Sequence, residues 1–225
     1  MQRGTWSTSR WLRAACAGCL LLAAALTVAV LLRLPPLVRF DTGIAGTLHE
    51  HAVAHPAVIA VSRVLSDWVW DPWTMRALLV AVCGWLWWRG ERALAVRFLL
   101  TLVVAVVVQQ TVKAAVGRDR PVWPDPVDSA DYAAYPSGHA LTATVVCGLL
   151  LWLAPDSRWA WAVAAVSVLG VGFTRVYLGV HWPSDVLGGW LAGAVLVLAA
   201  LSGAARDTPG GPLLRRPGSG DPDSG

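Results

Sequence analysis

Charged residues in this chain are confined to short intervals between long apolar runs. The clearest run, Ala14 to Leu32, is 19 residues without a charge. Others cover about 74–88, 93–115, 138–154, 159–174 and 186–205, some of them short or carrying one arginine. Each lies near the roughly 17–25 residues that a helix needs to cross hydrocarbon, where every backbone N–H and C=O must be bonded within its own segment. The pattern predicts an all-α polytopic membrane protein, a bundle of about six transmembrane helices.

Composition strengthens this reading. The chain is 56% hydrophobic and 14% charged, whereas a soluble domain carries about a quarter charged residues. Cys16, Cys19, Cys83 and Cys147 all fall inside apolar runs, so they do not describe a disulfide framework. Cys16 and Cys19 form a CxxC, but inside a span they read as small packing residues.

Charge placement orients the spans. Arg3, Arg10 and Arg13 precede the first run, and Arg33, Pro35 and Pro36 follow it in place of a small-residue cleavage site. An uncleaved first span over 14–34, after a cytoplasmic 1–13, is therefore expected rather than a signal peptide. Arg89, Arg92 and Arg97, then Arg158, then Arg206, Arg215 and Arg216 occupy connections on that same side. The positive-inside tendency makes it the cytoplasm. Tryptophans collect at both ends, Trp85, Trp87, Trp88, Trp152, Trp159 and Trp161 inside, Trp68, Trp70, Trp73, Trp123 and Trp182 outside, as an aromatic belt does. Residues 35–72 then form an outer connection with a helix-like stretch 44–65 interrupted by Pro56. It is expected to lie at the interface as one or two helices, with a dip into the membrane or a full span as alternatives. Residues 73–205 make a core of about five spans, and 206–225, rich in Pro, Gly, Asp and Ser, a disordered cytoplasmic tail.

The remaining polar residues collect on the outer side. Lys113, the only lysine beside seventeen arginines, ends the third span, and Arg118 and Arg120 follow it. Residues 135–139, YPSGH, open the fourth span. Arg175 ends the fifth, and His181 and Asp185 straddle the start of the sixth. The fourth and fifth spans form a hairpin between these two connections, which places both on one face. Cations at helix C-termini and two proline-led helix N-termini (Pro136, Pro183) on one face describe a site for an anion such as phosphate.

These residues resemble the type 2 phosphatidic acid phosphatase family, which shares a core with vanadium haloperoxidases and bacterial acid phosphatases. The family's motifs KxxxxxxRP, PSGH and SRxxxxxHxxxD stand here as KAAVGRDRP (113–121), PSGH (136–139) and TRVYLGVHWPSD (174–185), with Thr174 in place of serine. The resemblance covers about residues 75–203 and is thin before that. It implies a membrane lipid phosphatase with His181 as nucleophile, Asp185 orienting its imidazole, and His139 as acid and then base. It further implies that Lys113, Arg120, Ser137, Gly138 and Arg175 hold the phosphoryl oxygens, with no metal and no cofactor.

The expected substrate is a lipid phosphate monoester or diphosphate, such as phosphatidic acid, phosphatidylglycerophosphate or a polyprenyl diphosphate. The site would open on the outer side of the cell membrane, among membrane lipids and with no nucleic-acid partner. A lipid phosphotransferase and a non-enzymatic anion- or lipid-binding protein are the competing readings. Singly, Lys113 and Arg175 would only snorkel to headgroups and Asp185 would only cap a helix. Arg118 and Asp119 are balanced between loop charges and site residues. HEHAVAH (49–55) lacks HExxH, and His51 and His55 lack an evident third metal ligand, so an interfacial helix is expected there. Gln109 and Gln110 read as bridges between helices.

Overall fold

A computed structural model describes the backbone of residues 3–207 and the side chains of residues 10–202. Its helices are α1 (Arg3–Leu31), α2 (Pro35–Ala54), α3 (Pro56–Val64), α4 (Pro72–Trp88), α5 (Arg92–Val116), α6 (Gly138–Leu153), α7 (Arg158–Tyr177) and α8 (Pro183–Asp207), with a π-turn at Leu65–Val69 after α3. The described residues contain no strand. The tail expected to be disordered lies, from residue 208 onward, outside the described residues.

Local chemistry sets the boundaries. Proline, whose missing N–H costs nothing in a first turn, begins α2, α3, α4 and α8. Asp71 caps α4 by accepting from the N–H groups of Trp73 and Thr74 at 2.7 and 3.1 Å, and Ser157 caps α7 through Ala160 N–H at 3.2 Å. Helix α5 ends at Gly117, whose φ of 57° lets its N–H turn back to the Lys113 carbonyl.

All six apolar runs fold as helices, but four are long and apolar enough to cross a membrane: Arg10–Leu31, Arg92–Val116, Arg158–Tyr177 and Pro183–Ser202. Helix α6 is apolar but has 16 residues, about 24 Å of rise, and α4 has 17. Helix α6 lies at the centre of the bundle. It packs against α4, α5, α7 and α8, and Ala140, Leu141, Ala143, Val145, Val146 and Leu149 are fully buried. Glycines permit the close approach of α8. A Cβ on Gly189 would lie 2.6 Å from the Ser137 carbonyl oxygen, and one on Gly193 would lie 2.7 Å from Thr144 Cβ. Lipid-type surface is abundant elsewhere, with Leu21, Val103, Val107, Val163 and Leu169 all exposed.

The N-terminal third wraps this core. Helix α1 packs along α8, and Thr27 Oγ1 lies 2.9 Å from the Tyr135 hydroxyl beside the site. Helix α2 starts at Pro35, earlier than the stretch from 44, and breaks at His55, where the following proline disfavours the helical region. Its 20 residues are enough to span, but it is too polar to count among the candidate crossings. It buries Asp41, Ala45, His49 and Ala52 against α7 and α8.

Candidate active site

Two irregular segments meet at one end of the bundle. The first, 117–137, joins α5 to α6. The second, 178–182, joins α7 to α8 in a tight turn through Gly179 at φ 70°. They are stitched together by Ser137 N–H donating to the Asp185 carbonyl at 2.9 Å and by Trp123 Nε1–H donating to the Gly179 carbonyl at 3.0 Å.

His181 is the centre of this junction and is 2% exposed. Its Nδ1 faces Asp185 Oδ2 at 3.4 Å, and its Nε2 faces an Arg120 guanidinium nitrogen at 3.3 Å. A carboxylate beside Nδ1 favours the proton there and leaves Nε2 as the acceptor, facing the Arg120 N–H. Burial, then the positive charges of Arg175, Arg120 and Lys113, push the His181 pKa well below the ordinary imidazole value. The ring is therefore neutral at neutral pH. Asp185 also caps α8, its Oδ2 accepting the Trp182 N–H at 2.8 Å, the back-bond of a capping box.

The cations surround His181. Arg120 donates from Nε to the Tyr132 carbonyl at 2.5 Å and from its terminal nitrogen to the Val180 carbonyl. Burial, the largest influence, lowers its pKa against the opposing pull of Asp185, Asp131 and Asp128. Lys113 Nζ bonds the Ala133 carbonyl. Arg175 donates to Ser66 Oγ at 2.9 Å and lies 3.8 Å from Asp67, while its Nε is buried without a partner. Burial and nearby Asp128 raise the Asp67 pKa, and Arg175 opposes them.

Helix α6 brings the third motif. Ser137 is fully buried, makes no capping bond, and leaves Oγ without a partner. Gly138 has no room for a side chain, since a Cβ would stand 2.5 Å from Gln109 Nε2. His139 is half-buried in the first turn, within electrostatic reach of Arg175, His181, Arg120 and Arg76. Gln109 bridges helices, accepting from Arg76 of α4 at 3.5 Å while packing under Gly138 of α6.

The two helix N-termini differ, against the expectation that both receive an anion. At α8 the Trp182 N–H is taken by Asp185 and the Ser184 N–H by Asp41. Two carboxylates of the chain already occupy that positive end. The α6 terminus, with its unpartnered serine hydroxyl, remains the open one.

Asp41, Ser66, Asp67, Arg76 and Ser184 join the cluster without having been marked by the motifs. Arg118, balanced at first between loop and site, donates to Asp185 and to Asp41 at 2.6 Å each. Asp119 is a surface charge, 3.9 Å from an equally exposed Arg33. His51 bonds the Tyr177 hydroxyl through Nδ1 at 3.0 Å and stacks on His55. Among the described residues, no group of three His, Cys, Asp or Glu side chains is placed to hold a metal.

Comparison with known proteins places the fold. The model of the PAP2 superfamily matches residues 94–208. An undecaprenyl-diphosphatase of Sulfolobus acidocaldarius is 29% identical over 65% of this chain and 68% of its own length. Phosphatidylglycerophosphatase B of Bacillus subtilis is 31% identical over 40% of this chain and 48% of its own. A crystal structure of a transmembrane PAP2-type phosphatidylglycerolphosphate phosphatase from Bacillus subtilis superposes with a TM-score of 0.76 at 21% identity, covering 87% of this chain and 98% of that one.

Proposed function

We propose, since this chain belongs to the PAP2 superfamily, that it is a multi-pass membrane phosphatase hydrolysing a lipid phosphate monoester or diphosphate through a phosphohistidine. The observation that carries this reading is the placement of His181: buried, one nitrogen on Asp185, the other turned toward Arg120. The names of the relatives, an undecaprenyl-diphosphatase and a phosphatidylglycerophosphatase, support a lipid phosphate as substrate.

In this mechanism His181 Nε2 attacks phosphorus. The N–P bond forms as the bond to the leaving oxygen breaks, and that oxygen takes a proton from His139. Asp185 stabilises the charge that develops on the imidazole. Water, giving its proton to His139, then attacks the phosphohistidine, releasing phosphate and restoring His181. Lys113, Arg120, Arg175, Ser137 and the Gly138 N–H bind the three equatorial oxygens, whose charge is largest in the transition state. The unpartnered Arg175 Nε and Ser137 Oγ are the donors such an oxygen would engage.

The site opens on the extracytoplasmic side, and α2 and α3 lie along that interface. The arginine distribution supports this orientation. The test is phosphate release in detergent from phosphatidic acid, phosphatidylglycerophosphate and undecaprenyl diphosphate. Turnover of at least one is expected, with free phosphate as product and loss of more than about 10³-fold in His181→Ala. Activity unchanged by that substitution removes the phosphohistidine from the mechanism, and product phosphate appearing on a second lipid makes the protein a transferase.

A further inference from the structure

A buried carboxylate that orients a nucleophile must itself be held, and Asp185 is fully buried. We propose that Arg118 and Asp41 are positioning residues for the His181–Asp185 pair, a role that rests on the phosphatase reading above. The guanidinium of Arg118 forks between two acids. One terminal nitrogen donates to Asp185 Oδ1 and to Ser184 Oγ, both at 2.6 Å, and the other donates to Asp41 Oδ2 at 2.6 Å. Asp41 completes the frame from α2. It accepts the Ser184 N–H at 2.9 Å on Oδ1 and the Ser184 hydroxyl at 2.6 Å on Oδ2.

Each bond removes a freedom that Asp185 would otherwise have. Arg118 fixes Oδ1, so Oδ2 is the oxygen left for the Trp182 N–H and for His181 Nδ1. Arg118 is held in turn by Asp41 on one side and by the Trp182 ring, 5.7 Å from its guanidinium carbon, on the other. Charge gives the same answer. Asp41 and Asp185 are 1% and 0% exposed, and both sit at the N-terminus of α8, whose dipole favours anions. Without the guanidinium between them, two buried carboxylates would face one another with no countercharge, and Asp185 would be held less firmly beside Nδ1–H.

Asp41 lies outside residues 94–208, the part matched by the superfamily model. The chain thus recruits a buried acid from its N-terminal third to brace a pair that lies wholly in the matched core. A lysine at 118 would supply a charge but no fork, so it can hold one acid and not both.

The experiment compares Arg118→Lys, Asp41→Asn and Asp41→Glu, alone and in an Asp185→Asn background, in detergent. Two readouts are taken: kcat and KM for the best lipid phosphate, and the downfield Nδ1–H proton of His181 in ¹⁵N-histidine-labelled protein. Arg118→Lys is expected to lower kcat by about 10–100-fold, the usual range for partners behind a ligand or base, with KM within about twofold, and to broaden or shift the downfield proton. Asp41→Asn follows in the same direction, and Asp41→Glu recovers part of the loss.

In the Asp185→Asn background the further loss from Arg118→Lys collapses, because residues that act as a unit are not additive. A rise in KM with kcat intact, a full multiplicative loss in that background, or an unchanged downfield proton overturns the proposal. If Arg118→Lys does not fold, Asp41→Asn carries the test alone, since an amide has nearly the same shape. If the unaltered protein turns over no lipid phosphate, the phosphatase reading falls while the proton resonance still decides the positioning.

Discussion

The imidazole of His181 illustrates how a residue's chemistry is set by what surrounds it. Burial and the cations Arg175, Arg120 and Lys113 all lower its pKa, so the native ring stays neutral where an ordinary histidine, at about 6.5, would be gaining a proton. The sign for stability follows. Above about pH 6.5 folded and unfolded forms are both neutral there, and His181 contributes no pH dependence. Below it the unfolded chain binds a proton that the native site refuses, so stability falls with pH by about 1.4 kcal/mol per unit. NMR of ¹⁵N-histidine-labelled protein is expected to show no His181 titration between about pH 7.5 and 5.5, and His181→Gln to soften the acid-side loss of melting temperature. A His181 titration midpoint near 6.5 would contradict this environment. Of the cations, Lys113, Arg120 and Arg175 were legible from motif spacing. Arg118 was not, because its meaning lies in Asp41, 77 positions away in the chain.

Among elements, the seam between α6 and α8 is what brings PSGH beside HWPSD. It depends on glycine at the point of closest approach. A Cβ at Gly189 meets the Ser137 carbonyl oxygen at 2.6 Å and the Leu141 nitrogen at 3.1 Å, backbone atoms that have little room to give. Gly84, in the middle of α4, has nothing within 4 Å of the same position. Gly189→Ala is therefore expected to cost roughly 1–3 kcal/mol as overpacking and to reduce turnover at least tenfold, since it forces Ser137 away from Asp185. Gly84→Ala is expected to leave both unchanged. Thermal denaturation and phosphate release on the two variants check this, and equal effects at the two glycines would remove the seam from the explanation. The hydrophobic runs foretold these helices because apolar periodicity and proline are local signals. They do not tell which helix sits at the centre of the bundle, because the apolar residues of α6 meet four neighbouring helices rather than lipid.

For the whole molecule, the N-terminal third acts as a brace around a core that carries the motifs. Asp41 of α2 reaches Arg118 and Ser184, Ser66 and Asp67 of the π-turn reach Arg175, and Thr27 of α1 reaches Tyr135. The proposed orientation makes a further prediction. In a background with the four native cysteines changed to serine, Val122→Cys at the site end is expected to react with an impermeant maleimide on intact cells. Trp88→Cys at the other end is expected to react only after permeabilisation. Both positions are strongly exposed, at 91% and 80%, so accessibility alone does not separate them, and the reverse labelling pattern would turn the molecule over.

The helical membrane class is written in the sequence alone, and so are the motif residues from which an anion-binding face is proposed. Those depend on local quantities: the length of apolar runs, proline and glycine at helix ends, and the spacing of charges along one strand of chain. The packed fold shows that the α6 N-terminus keeps a serine hydroxyl without a partner and that Asp185 is bonded by Arg118. The bond to Arg118 turns on a partner distant in sequence. The α8 terminus is closed by Asp41, 143 positions before the serine it binds, and no local pattern marks an aspartate for a bond made across the whole fold.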